Sequence, residues 1–245
     1  MRTKLTVALL GGLTLLTPSC DVLMTMSETM QTNMPLTEAE VSNGLKEALR
    51  VGITNAVTQT SQTDGYLNNS LIRIPFPPEA QKVKEALNNV GMNNLVKQFE
   101  ESMNHAAENA SAKATDIFVD AISKMTITDA MSILKGSDDA ATQYLHRTTG
   151  SQLEAAFTPI VEDALKSVNV TQYWSDITSA YNQIPFVSPV NTDLTGYVTH
   201  SAIDGLFIMV ANEEKEIREN PQARVNDILK RVFGSAEATR SSLSH

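Results

Sequence analysis

The sequence predicts an all-α protein, an irregular multi-helix bundle of about eight to ten helices with at most a minor extended ribbon. Three observations predict this class. Aromatic residues make up only 5% of the 245 residues, so the core must be built from aliphatic residues and Met, which suit helices better than sheets. Apolar residues recur at helical spacing from Val41 onward. Capping signals and glycines divide these runs into separate helices.

The N-terminus carries the pattern of an export signal. Arg2 and Lys4 form a basic n-region, and residues 5–16 are apolar, Gly or Thr throughout. This run is too short to span a bilayer, which requires about 20 apolar residues. It is followed by the residues TPSC, which end at Cys20. Small residues before a cysteine resemble a lipobox, so we predict that signal peptidase cuts before Cys20 and that this cysteine is lipidated.

Cys20 is the only cysteine in the chain, and its position directly after the apolar run supports lipidation. The alternative is an ordinary cleaved signal with an incidental cysteine, because Thr17 and Pro18 depart from the residues usual in a lipobox. We predict a lipoprotein signal peptide at 1–19 and a lipidated, flexible tether at 20–35. The protein is then exported and membrane-anchored, facing the periplasm or the cell surface, with the choice of inner or outer membrane left open.

The net charge of −9 argues against polyanionic partners. A surface this acidic repels phosphate backbones and anionic lipid headgroups, and the chain has no run of Lys or Arg to offset it. We therefore expect no nucleic-acid binding. The expected partners are the membrane, through the N-terminal lipid, and unidentified proteins of the cell envelope.

We predict a single helical domain over residues 36–234, followed by a disordered tail at 235–245. Its first helix opens with Thr37 and Glu40, which have the spacing of a capping box. Helical spacing then continues to the turn residues at 63–65.

The next segment, residues 72–78 (IRIPFPP), departs from helical patterning. Its prolines exclude a central strand, and Ile72, Ile74 and Phe76 alternate along it. A second Ile-Pro-Phe at 184–186 could pair with it as a ribbon, although we favour two pieces that each cross a helix end. Alternating apolar residues usually face a core, so packing on the bundle is favoured. Otherwise Ile72, Ile74 and Phe76 form a surface for a ligand or a partner.

The remaining helices are predicted from caps, prolines and glycines. They are placed at about 78–90, at 94–125 with a break near Ala112, from Thr128 to Gly136, from Ser137 or Asp138 to Gly150, from Ser151 with Glu154 through a kink at Pro159, around Trp174, from Thr199, and from Asn220 to Gly234.

Several phrases spread over most of the chain are similar to those of one bacterial family. They are Leu36–Gly44 running into GLKEALRVG, the IPFPP turn, Met103-Asn104 with Ala106–Glu108, Met125–Ala130, Asp138–Tyr144, and Tyr197–Thr199 with Asp204–Phe207. With these phrases the chain resembles domain-of-unknown-function family 4197, a family of uncharacterised exported proteins. The resemblance implies export and one domain over about 36–234, and it implies no activity.

The sequence lacks the familiar signatures of catalysis. It has no Gly-x-Ser-x-Gly, no second cysteine, no Gly-rich phosphate loop, no His-Glu-x-x-His and no EF-hand loop. We therefore predict no catalytic residue and no cofactor, which leans against an enzyme without excluding one.

Two polar groups are candidates for a site. Glu101, His105 and Glu108 share one helical face and could hold a metal, but a di-iron bundle needs Glu-x-x-His from two helices. A solvated face is favoured, and no metal is predicted. Asp138 and Arg147 could line a pocket with Thr142, although Asp138 as a helix cap and Arg147 as a C-terminal pairing residue is the favoured alternative.

One apolar stripe raises the question of a lipid site. Ile203, Leu206, Phe207 and Val210 could grip a lipid tail, but such a stripe normally belongs to the core. The favoured function is an envelope-tethered lipoprotein that acts as a non-catalytic scaffold or interaction module. The alternatives are a helical carrier or sensor of an apolar or lipid ligand, and, third, an unidentified hydrolase.

Overall fold

Helices and the turns between them make up the part of the chain that the structure describes. The structure is a computed structural model, and it describes residues 36–167, 169–183, 189–191, 193–220, 230, 231 and 233. No strand occurs among these residues, so the predicted all-α class is confirmed. The predicted signal peptide, tether, tail and second Ile-Pro-Phe lie outside the described residues.

The described helices are separated by a few residues each, except for the longer connections at 62–80 and 183–193. In chain order they are α1 (Glu38–Ser61), α2 (Gln81–Asn89), α3 (Asn93–Ser111), α4 (Ala114–Lys124), α5 (Ile127–Lys135), α6 (Ala140–Ser167), α7 (Val170–Asn182) and α8 (Leu194–Glu219), with a 3-10 turn at Pro78–Ala80 before α2.

The start of α1 is the predicted capping box. The Thr37 hydroxyl accepts a hydrogen bond from the Glu40 backbone N–H at 3.2 Å, and the Glu40 carboxylate accepts one from the Thr37 N–H at 2.8 Å. These bonds hold the pKa of the exposed Glu40 carboxyl below its usual range. The predicted break near Ala112 is also confirmed, because α3 ends at Ser111 and α4 begins at Ala114.

Two predicted helix starts are wrong, each by a few residues. Thr126, rather than Thr128, caps α5, and its hydroxyl accepts the Asp129 N–H at 3.1 Å in a second capping box. Asp193 caps α8 by accepting the Gly196 N–H at 2.8 Å, so this helix begins at Leu194, upstream of the predicted Thr199. In both cases the sequence offered two residues suited to cap the helix, and the local pattern did not distinguish between them.

The predicted division near Gly150 is wrong, because α6 continues through it to Ser167. Its buried residues keep one spacing across the glycine, from Leu145 and Thr149 to Leu153 and Phe157. Packing of this face on α3 and α8 outweighs the cost of an internal glycine, which is about 1 kcal/mol relative to alanine.

Helix α8 lies in the core, against α1, α3, α6 and α7. The predicted apolar stripe is buried here: Ile203, Leu206, Phe207 and Val210 are 0–6% exposed. The stripe is therefore core, which was the favoured interpretation. Of the helices described, α8 is the one long and apolar enough to cross a membrane by length and composition, but 56% of that window is buried against the other helices.

A buried ion pair ties α8 to two other helices. Glu214 accepts hydrogen bonds from the backbone N–H groups of Ala141 and Thr142 at 3.0 and 2.8 Å, and so caps α6. Arg218 bonds Glu214 at 2.8 Å and donates to the Ile133 carbonyl of α5 at 3.0 Å. Because both charges are paired and bonded, the core can hold them.

Candidate functional site

The proline-rich segment 72–78, here called the strap, lies against α3 and is held by one side chain. The Asn104 carboxamide accepts the Ile74 backbone N–H at 2.8 Å and donates to the Ile74 carbonyl at 2.8 Å. It also donates to the Glu100 carbonyl at 2.7 Å and is fully buried. Asn104 thus gives the extended backbone of the strap the pair of bonds that a neighbouring strand would give.

A shared carboxylate ties the strap and α2 to α3. The Glu100 side chain pairs with Arg73 of the strap at 3.1 Å and with Lys84 of α2 at 2.7 Å. The three charges lie at the edge of the core, with the Glu100 side chain 12% exposed. Glu100 therefore connects the strap and α2 to the same position of α3.

The apolar residues of the strap are buried. Ile72, Ile74 and Phe76 are 5%, 1% and 2% exposed. This burial is what the favoured packing interpretation expects, and it leaves Ile72 and Ile74 inaccessible to a partner protein. Phe76 meets Phe99 of α3 and Trp174 of α7, with ring centroids 4.9 and 5.7 Å away. The three rings form an aromatic cluster, since Phe99 and Trp174 are 5.3 Å apart.

An apolar cavity of about 320 Å³ lies beside the aromatic cluster, among the strap, α2, α3 and α7. Its volume is at the lower end of the range for ligand pockets, about 300–1,000 Å³. The described residues that line it are mostly apolar: Phe76, Val83, Leu87, Leu95, Val96, Gln98, Phe99, Glu101, Ser102, His105, Val170, Trp174 and Ile177.

The electrostatics of the cavity disfavour an anion. Among the described lining residues there is no Lys or Arg, while Glu101 contributes a carboxylate. The two nearby lysines already have partners: Lys97 lies 3.4 Å from Glu101, and Lys84 lies 2.7 Å from Glu100. The polar lining groups, Gln98, Glu101, Ser102 and His105, all come from α3, which leaves the α2 and α7 walls apolar.

Trp174 also borders a second, smaller cavity of about 200 Å³ next to the start of α8. Polar groups line it, among them Glu79, Asp193, Tyr197 and His200. Burial raises the pKa of the Tyr197 hydroxyl, which therefore stays protonated and donates to the Pro75 carbonyl of the strap at 3.1 Å. Trp174 thus separates a mostly apolar cavity from a polar one.

The predicted metal-like trio is only partly assembled. Ligand atoms of His105 and Glu108 lie within 4.8 Å of each other and of Asp64, but Glu101 pairs with Lys97 instead. One Glu108 oxygen already accepts the backbone N–H groups of Tyr66 and Leu67, at 3.1 and 3.3 Å. This bonding explains the buried carboxylate as a cap on the turn after α1.

Asp138 and Arg147, the other predicted pair, are not brought into the apolar cavity. Both are exposed, and neither is among the residues that line it. Arg147 lies within α6, where its guanidinium is 5.5 Å from the centroid of the Tyr144 ring. The proposed pairing at a helix C-terminal end is wrong, because α6 does not end at Gly150. Thr142 donates to Glu214 instead of lining a pocket with this pair.

The sequence analysis singles out three residues of the cavity wall, Phe76, Glu101 and His105, but it does not place them in one site. Trp174 enters the sequence analysis only as the mark of a helix, and Phe99 and Ile177 are not predicted as site residues. The one available signal was the single tryptophan of a chain that is poor in aromatic residues. Periodicity places such residues on helices, but it does not say which helices leave space between them.

Comparison with known proteins identifies one family. The family model described as "Protein of unknown function (DUF4197)" matches residues 35–234. No curated protein and no solved structure gives a significant match to the chain.

Proposed function

Because the chain belongs to the family described as Protein of unknown function (DUF4197), a description that names no activity, we propose its function from the cavity alone. The protein is an envelope-tethered lipoprotein that binds an apolar ligand among the strap, α2, α3 and α7. The observation that carries this proposal is the cavity of about 320 Å³ walled by Phe76, Phe99 and Trp174. Concave, mostly apolar sites with few polar groups are typical of small-molecule binding.

The sequence favours a non-catalytic scaffold. The cavity, in contrast, supports a carrier or sensor of an apolar ligand. A scaffold acts through exposed surface, whereas the best-formed apolar surface of the strap region faces inward. Phe76 and Trp174 are each 2% exposed and so are out of reach of a protein partner, yet both border the cavity. The apolar lining that a small molecule would contact directly is Leu87 and Ile177, which are half-buried, and Leu95, which is 39% exposed.

The predicted lipid anchor is consistent with this function. A lipid on Cys20 followed by a flexible tether at 20–35 would hold the start of the helical domain at an average of about 20 Å from the lipidated residue, given the dimensions of a flexible chain of that length. Apolar molecules concentrate in the membrane, so an anchored binding protein is close to its supply. The anchor also removes the need for basic surface charge, which this acidic chain lacks.

A neutral fluorescent probe tests the proposal. We expect the mature chain to bind N-phenyl-1-naphthylamine saturably, with a rise in probe fluorescence. Ser102→Phe puts a ring where a small lining residue stands on α3 and should weaken binding about tenfold or more, because the cavity is filled. Asn109→Phe places the same ring on an exposed position of α3 outside the cavity and should leave binding unchanged.

The melting curves of both variants should stay cooperative, so that a loss of binding is not a loss of fold. Probe binding that never saturates, or that Ser102→Phe leaves at the wild-type affinity, would rule out the cavity as the binding site.

A further inference from the structure

Three side chains of the kinds that bind metals, Asp64, His105 and Glu108, meet beside α3. Ligand atoms of the three lie within 4.8 Å of one another. Asp64 comes from the turn after α1, while His105 and Glu108 stand three residues apart on one face of α3. The sequence places Glu101 in this group, but Glu101 pairs with Lys97, and Asp64 provides the second carboxylate in its place. A long-range contact thus completes a group that the local pattern predicts only in part.

The distance between Asp64 and His105 fits a shared metal ion. His105 Nε2 and Asp64 Oδ1 are 3.4 Å apart, which is long for a direct hydrogen bond. Two ligands of a tetrahedral Zn²⁺, each bound at about 2.0–2.1 Å, are separated by roughly 3.3–3.4 Å. The two side chains are 48% and 42% exposed, so an ion in solution reaches them.

Glu108 is a buried carboxylate without a cationic side chain beside it. It is 4% exposed, and among the described residues neither Glu108 nor Asp64 pairs with a Lys or Arg. Buried charges in proteins are paired or coordinate metals. The N–H groups of Tyr66 and Leu67 both bond Oε1, whereas Oε2 has no hydrogen-bond partner in the described part of the chain and is not closed to solvent. The cap on the turn after α1 therefore leaves this carboxylate able to bind an ion, and carboxylate ligands of metals are themselves commonly hydrogen-bonded.

We propose that Asp64, His105 and Glu108 bind a divalent transition-metal ion such as Zn²⁺. One imidazole with two carboxylates favours such an ion over Mg²⁺ or Ca²⁺, which prefer oxygen ligands alone. Three protein ligands leave the fourth position of a tetrahedral ion to water, as in open zinc sites rather than closed structural ones. The site does not depend on the proposed apolar ligand, although His105 also lines that cavity. The competing explanation is that Glu108 only caps the turn and that Asp64 and His105 form an exposed pair, which contributes little to stability.

Calorimetric titration with ZnCl₂ tests the proposal, on the mature chain carrying Cys20→Ser so that no thiol competes for zinc. We expect saturable binding of one ion per chain and a higher melting temperature in the presence of zinc. His105→Ala should weaken binding at least tenfold, because it removes a ligand. Asp64→Asn should do the same without strain, since Asn tolerates the left-handed φ of +62° at this position. Glu108→Gln keeps a carbonyl oxygen for the cap and removes the charge, so it should also weaken binding.

Two variants serve as matched controls, and both should bind zinc as the wild type does. Glu101→Gln removes a carboxylate of α3 that lies outside the group, and His200→Ala removes another exposed histidine, which lies 3.6 Å from Glu154. Thermal melts of all variants show which remain folded. No saturable binding to the wild type, wild-type affinity in a folded His105→Ala or Asp64→Asn, or an equal loss in either control would overturn the proposed metal site.

Discussion

At the scale of single residues, Asn104 does the most to shape the site. Two of its side-chain hydrogen bonds join α3 to the backbone of Ile74, and a third goes to the Glu100 carbonyl of α3 itself. Through the strap, the first two set the position of Phe76. A carboxamide suits this position because it has a donor and an acceptor side by side, as a peptide group has. Removing it would leave the Ile74 N–H and carbonyl buried without partners.

Asn104→Ala should therefore lower the free energy of unfolding by about 3 kcal/mol, the cost of leaving buried backbone groups unbonded. Denaturant unfolding of the variant measures this loss. Asn109→Ala, at an exposed position of the same helix, serves as the control and should change stability by less than about 0.5 kcal/mol. Similar stability of the two variants would mean that Asn104 does not hold the strap.

The sequence predicted which strap residues face inward but not what holds them. The alternation of Ile72, Ile74 and Phe76 is a local pattern, and their burial follows from it. Asn104 is 30 residues away from Ile74 along the chain, and nothing local distinguishes it from the exposed Asn109. Contacts of this range depend on how helices pack, which a single sequence does not display.

At the scale of helices, the cap of α1 was predictable, whereas the caps of α5 and α8 and the passage of α6 through Gly150 were not. The capping box at Thr37 and Glu40 involves only neighbours in sequence, so the pattern sufficed. Gly150 looked like a stop signal, yet tertiary packing carries α6 through it. A Cβ added to Gly150 would meet no atom within 4 Å beyond its chain neighbours and the nearby backbone of α6, and the φ of Gly150 is not positive.

Gly150→Ala should therefore stabilise the protein by about 0.5–1 kcal/mol, because alanine is the better residue inside a helix. Gly91 is the matched control: it is equally open in space but has φ +82°, so Gly91→Ala should cost about 1 kcal/mol. Thermal melts of the two variants give opposite signs if α6 is continuous. If Gly150→Ala destabilised the protein instead, the result would indicate a helix end at Gly150, as the sequence predicts.

At the scale of the whole molecule, the all-α class followed from composition and periodicity, while the cavity did not. Its walls come from the strap, α2, α3 and α7, so the rings of Phe76 and Trp174 meet although they lie far apart along the chain. No short-range signal brings such residues together. The cavity depends on long-range packing. The predicted lipid anchor, in contrast, rests on a local sequence pattern at residues that the structure does not describe.

Cys20→Ser should release the protein from membranes without changing the melting of the helical domain, because the predicted lipid site lies outside that domain. Fractionation and labelling with radioactive palmitate measure the loss of the anchor, and a thermal melt measures the stability of the domain. Ser19→Ala, which keeps a small residue before the cysteine, should still be labelled and membrane-bound. A Cys20→Ser protein that takes up palmitate and stays with membranes would contradict the lipoprotein assignment.

Native mass spectrometry of the chain extracted from its own membranes tests ligand binding most directly. We expect wild-type protein to carry an additional non-covalent mass from an apolar, lipid-like molecule, which disappears on denaturation while any lipid on Cys20 remains. Ser102→Phe, with the cavity filled, should lack that mass, and Asn109→Phe should keep it. Wild-type protein without a bound molecule, or a bound molecule that Ser102→Phe retains in full, would contradict an apolar ligand site in this cavity.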